Sequence, residues 1–74
     1  MTGREWLSGA RREELLCMKS KLSGDRELQI ILDLKYIRRL PIWKIANVLA
    51  CSESTVFRRI EYLYEVIEQI LSEE

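Results

Sequence analysis

Apolar residues return along this chain at three- and four-residue intervals, the period of an amphipathic helix. Three interruptions divide the pattern into four segments. In the first, Trp6, Leu7, Ala10, Leu15, Met18 and Leu22 form one stripe, widened by Leu16 and Cys17, while Arg11, Arg12, Glu13 and Glu14 occupy the other side. Thr2-Gly3-Arg4-Glu5 fits a capping box, which predicts a helix over about 3–22. Gly9 costs about 1 kcal/mol against alanine there, which favours a frayed or bent first turn. Ser23-Gly24-Asp25 ends the segment: Gly24 can close one helix in the left-handed conformation, and Asp25 can cap the next. Residues 25–40 then carry Leu28, Ile31, Leu34, Tyr36 and Ile37 inward, with Ile30 and Leu32 beside them. The corner is Leu40-Pro41, since proline suits a first helical position and disfavours helix just before it.

The third segment, 41–49, is short, with Ile45, Val48 and Leu49 apolar and Ala46 small enough for a close crossing. Trp43 is expected to pack on the preceding helix. After Ala50-Cys51, Ser52 is a good N-cap for a last helix over about 53–72. The whole is an all-α fold: a helix-turn-helix core of three helices (about 25–40, 41–49 and 53–72) behind an N-terminal helix (about 3–22). It divides into residues 1–24, a dimerisation or core-capping element, and residues 25–74, the helix-turn-helix domain with its long final helix.

Ile45-Ala46, Leu49, Ser52-Glu53-Ser54-Thr55 and Phe57-Arg58 carry a resemblance. IANVLACSESTVFRRI resembles the helix-turn-helix of sigma-factor region 4 and, more closely, that of small phage-type transcriptional regulators of the ArpU/RinA kind. With the preceding LDLKYIRRLPIWKIA the similarity spans about 25–71. It implies a DNA-binding regulator. One position departs: Ala50 stands where such turns usually have glycine, and a left-handed Ala50 would cost about 1 kcal/mol.

The last helix is wider in its apolar surface than a three-helix core needs. Val56, Ile60, Leu63, Ile67 and Ile70 form one seam, and Phe57, Tyr64 and Leu71 a second row. Two uses are open for Leu63, Tyr64, Ile67, Ile70 and Leu71: a homodimer face across a two-fold axis, or a face covered by the N-terminal helix of the same chain.

Charge changes the picture only through its distribution. Twelve Lys/Arg balance twelve Asp/Glu, which alone argues against a nucleic-acid binder. Residues 1–60, however, hold all 12 basic residues and 7 acidic ones, and residues 61–74 hold five acids and no base. DNA responds to the local field, so a basic body (+5) and an acidic tail (−5) remain compatible with binding, with modest non-specific affinity. No apolar run approaches the ~20 residues that span a bilayer, and charges from Arg4 onward break any signal-peptide core, so a cytoplasmic protein without membrane contact is expected. Cys17 and Cys51 are far apart, both on apolar stripes, and there is no histidine; buried thiols, no metal and no cofactor follow.

A recognition helix presents its first turns to base edges. Ser54, Thr55 and Arg58 are the candidate base contacts, Arg58 foremost because its guanidinium can pair with guanine O6 and N7. Glu53 is better placed to stabilise the helix N-terminus, and Phe57 reads as core. Arg38, Arg39, Lys44, Ser52 and Arg59 are candidate phosphate contacts, which set register without reading sequence. For Lys35, Arg38 and Arg39 an ordinary helix-terminus role also suffices. No catalytic constellation is visible, and no small-molecule substrate is implied; Glu13-Glu14 and Glu73-Glu74 read as solvated carboxylates. The leading expectation is a sequence-specific transcriptional regulator that binds double-stranded DNA as a homodimer, with residues 53–60 in the major groove. The alternatives are a protein-interaction module of the same fold, meeting RNA polymerase or another regulator, and a small subunit of a phage DNA-packaging machine.

Overall fold

The structure, a computed structural model, describes residues 1–73; Glu74, the last acid of the tail, lies outside the described residues. It is all-α, with no strand among the described residues. The helices are α1 (Gly3–Gly9), α2 (Arg12–Lys21), α3 (Arg26–Leu32, running on through a π-helical turn, Asp33–Ile37), α4 (Ile42–Leu49) and α5 (Glu53–Glu73). At about 1.5 Å per residue, α5 is about 30 Å long and matches the long axis of a 34 × 22 × 20 Å molecule.

The expected single helix over 3–22 is two. Gly9 ends α1, Ala10 is extended (φ −73°, ψ 141°), and α2 restarts with the Glu14 carboxylate accepting from the Arg11 N–H at 3.1 Å. The cause is long-range: α1 packs on α5, whereas α2 packs on α3 and its π turn. An unbroken helix of that length cannot follow both. The capping box forms as expected, Thr2 Oγ1 accepting from the Glu5 N–H and the Glu5 carboxylate from the Thr2 N–H, both at 3.1 Å.

Gly24 has no positive φ, contrary to expectation; α2 closes at Leu22 (φ −91°, ψ 17°) instead. Asp25 does cap α3, accepting from the Leu28 N–H at 3.2 Å. Helix α3 is the centre of the fold, lying between α2 and α5. This is why Leu32 and Leu34 are both buried, though they sit on nearly opposite sides of a helix. The Arg38 N–H reaches back to Asp33 (2.8 Å) and the Leu40 N–H to Leu34 (2.9 Å), with Arg39 left-handed (φ 58°) between them. The π turn thus closes on a left-handed arginine, where glycine is usual at such helix ends.

Ile31, Leu32, Ile45, Val56, Leu63 and Ile67 are the fully enclosed residues of one core. Leu7, Leu15 and Met18 of the N-terminal helices join the same cluster, and Tyr64, Ile70 and Leu71 pack at its edge. The seam of the last helix is thus occupied by its own chain. Five apolar residues depart from the stripe reading, Leu16 and Ile30 at the edges of their stripes among them. Trp43, expected to pack on the preceding helix, is 58% exposed, Phe57 is 53% exposed rather than core, and Val48 is open as well. Cys17 is exposed and Cys51 half-buried, so neither is the enclosed thiol expected.

Candidate nucleic-acid interface

The turn between α4 and α5 is built by two local devices. Ala50 adopts the left-handed conformation (φ 53°, ψ 46°), and the Cys51 N–H returns to the Ala46 carbonyl at 3.0 Å. Ser52 Oγ then accepts from the Thr55 N–H at 3.2 Å and lies 3.0 Å from Thr55 Oγ1. The first satisfies the end of α4, the second the start of α5. Ile45 and Ala46 of α4 and Val56 and Ile60 of α5 are buried, which fixes how each helix is rotated.

The rotation determines what faces out. Ser54 and Arg58, four residues apart on the side away from Val56 and Ile60, are exposed, and Thr55 beside them is half-buried. Arg58 has no ion-pair partner among the described residues. Thr55, Arg58, Arg59 and Tyr62 line a shallow depression of about 220 Å³. Tyr62 was not among the sequence candidates; it follows Arg58 by one helical turn and is exposed, and that i,i+4 spacing was the available signal. Lys44 is exposed on α4 next to Trp43, Asn47 and Val48, without an ion pair among the described residues.

The remaining candidate cations are placed differently. Arg59 is ion-paired with Glu27 of α3, and Arg38 with Asp33 at 3.4 Å, a carboxylate also 3.6 Å from Lys19. Arg39 lines a cavity between the π turn and the α1–α2 break. The geometry therefore gathers Ser52, Ser54, Thr55 and Arg58 around the start of α5, with Lys44 on α4, and commits Arg38 and Arg59 to carboxylates. Beyond Arg58 the outer side of α5 becomes acidic with Glu61, Glu65 and Glu68. An anionic polymer can approach the first two turns of α5 but is repelled by the rest.

Opposite this side, the Tyr36 and Tyr64 hydroxyls share a 2.7 Å hydrogen bond. Burial, the bond to Tyr64 and the charge that Tyr64 acquires on ionising push the Tyr36 phenol well above its ordinary range, with a small opposing effect from Arg4. The Glu5 carboxyl is held below its usual value by the hydrogen bond from the Thr2 N–H and then by the Thr2 side chain. No group of three potential metal ligands occurs among the described residues, and no helix of the structure is long and apolar enough to cross a membrane.

A family model described as "Protein of unknown function (DUF1492)" matches residues 8–68, which takes in α2 to most of α5. No curated protein and no solved structure matches the chain.

Proposed function

Given that the chain belongs to this family of unknown function, we propose from the site itself that it is a sequence-specific DNA-binding transcriptional regulator of the phage type, similar to sigma region 4. The observation that carries the reading is the start of α5: a side-chain-capped helix end leaves Ser54 and an unpaired Arg58 exposed together, while Val56 and Ile60 are held in the core. Such an end can enter a major groove and read base edges. Arg58 is the base-reading residue, Thr55 and Ser54 assist it, and Lys44, Ser52 and Tyr62 hold phosphates. The acidic outer side past Glu61 favours an end-on approach, in which the later turns of α5 leave the groove.

A two-fold dimer on two half-sites remains part of this reading. Because Leu63 and Ile67 are enclosed by their own chain, its interface lies outside that seam. Arg39, which lines the cavity, is not needed for it. Selection from a random duplex pool, followed by anisotropy titration and light scattering with and without DNA, tests the proposal. Enrichment of a defined, two-fold symmetric site is the expected result; no enrichment, with no binding to random duplex at low salt, defeats it. A second reading, a protein-interaction module, is favoured by the acidic face of Glu61, Glu65 and Glu68 and by the two ion-paired arginines, and would give that negative result.

A further inference from the structure

A cavity of about 440 Å³ lies where the α1–α2 break meets the π turn, and Arg58 is not among the residues that line it. Leu7, Ala10 and Leu15 form its apolar wall, and Lys35, Tyr36 and Arg39 its polar one. Among the described residues, no carboxylate lines it. Lys35 and Arg39 are not ion-paired among the described residues; Lys35 Nζ lies over the Tyr36 ring at 5.4 Å. Arg4 adds a third positive charge near Tyr36. The hydroxyls at the site are already engaged, Tyr36 with Tyr64 and Ser8 with the Arg4 carbonyl at 3.0 Å. Unsatisfied capacity is therefore cationic and apolar, side by side.

The backbone at this cavity is also unusual. Arg39 is left-handed at φ 58°, where a Cβ is disfavoured and glycine or asparagine would be easier. It follows a π turn, a feature that gathers at functional sites. Strain kept at a position whose side chain lines a cavity points to use of that side chain.

We infer that this cavity binds a small organic anion, a carboxylate or phosphate head on an apolar or aromatic body. The head lies between Lys35 and Arg39, and the body lies along Leu7, Ala10 and Leu15. The volume falls within the range of small-ligand sites. A DNA phosphate fits less well, because a bare phosphate leaves the apolar wall uncovered and Arg58 does not line the cavity.

The test needs no DNA and stands or falls apart from the regulator reading. The full chain, ¹⁵N-labelled, is titrated with 2-naphthoate, with neutral 2-naphthalenemethanol and with inorganic phosphate. Saturable shifts confined to residues around Leu7, Ala10, Lys35 and Arg39 are expected for naphthoate, at least tenfold tighter than for either other probe. The double variant Lys35→Gln/Arg39→Gln should weaken naphthoate at least tenfold. Ala10→Phe, at an extended and half-buried position, should block it while circular dichroism stays unchanged. Equal affinity in the double variant, shifts scattered over the surface, or phosphate binding as tightly as naphthoate would each overturn the assignment, the last by showing an anion spot without a ligand pocket.

Discussion

Gly3 is seated directly against the backbone of Tyr64. A Cβ at position 3 would come within 2.9 Å of the Tyr64 Cα and 2.8 Å of its carbonyl carbon, nearer than such atoms approach. Helix α1 can therefore dock on α5 only with glycine at this place. Gly3→Ala should cost about 1–3 kcal/mol, the usual range for overpacking, or lift α1 from α5. Urea unfolding measures the loss, and faster amide exchange over residues 3–9 would identify lifting. Unchanged stability and exchange would mean that α1 does not sit on Tyr64.

The same approach explains what could and could not be read from the chain. Ser52, Asp25, the Thr2–Glu5 box and the Pro41 corner act within four residues, so the α4–turn–α5 unit was visible in the pattern. The break at Ala10 was not. Leu7, Leu15, Met18 and Leu22 keep to one side of an uninterrupted helix, and only the separate docking of α1 on α5 and of α2 on α3 requires two pieces. Trp43 and Phe57 depart from the sequence pattern for a related reason. Hydrophobicity marks a stripe, but the crossing of the helices decides which edge of the stripe finds a partner. Arg59 was legible as a surface cation, whereas its partner Glu27 is 32 positions away. Nothing local marked that pair.

Two left-handed residues, Ala50 and Arg39, lack the glycine their geometry favours, and a glycine, Gly24, sits where none is required. Ala50→Gly should leave the fold unchanged and raise stability by up to about 1 kcal/mol, relief of strain outweighing the added freedom of the unfolded chain. Gly24→Ala should also stabilise, by about 0.4–1 kcal/mol, because φ there is not positive and an added Cβ meets nothing within 4 Å. Chemical denaturation of the two variants checks both signs. A loss in either would contradict the backbone geometry at that turn.

Tyr36 gives the fold an alkaline weakness. Its phenol is harder to ionise in the folded chain than in the unfolded one, mainly through burial and the bond to Tyr64. Below the ordinary tyrosine range, near 10, both states are protonated and the full stability is present. Above it the unfolded chain loses the proton first, so the folded state binds more protons and stability falls as pH rises towards the folded value. Urea midpoints from pH 8 to 11 should decline, and Tyr36→Phe should flatten the decline. An equally steep decline in the variant would assign the effect to other groups.

Arg58 and Arg59 are neighbours with opposite assignments, and that contrast is the sharpest check on the interface. Arg59 is held by Glu27 at the surface, an ion pair of the kind that contributes about 0–1 kcal/mol. Arg59→Gln should therefore lower stability slightly and leave site preference alone. Arg58 contributes nothing comparable to the fold, so Arg58→Ala should leave the unfolding midpoint in place. It should cost about 1–3 kcal/mol of discrimination at one base pair of the selected site, the value of a bidentate guanine contact. Lys44→Ala should weaken all duplexes alike and make the salt dependence shallower, as loss of a phosphate contact does. Anisotropy titrations over a salt series, on the selected site and on single-base variants of it, separate the three outcomes. If Arg59 proved to control site preference and Arg58 did not, the face of α5 assigned to the groove would be wrong by about a quarter turn.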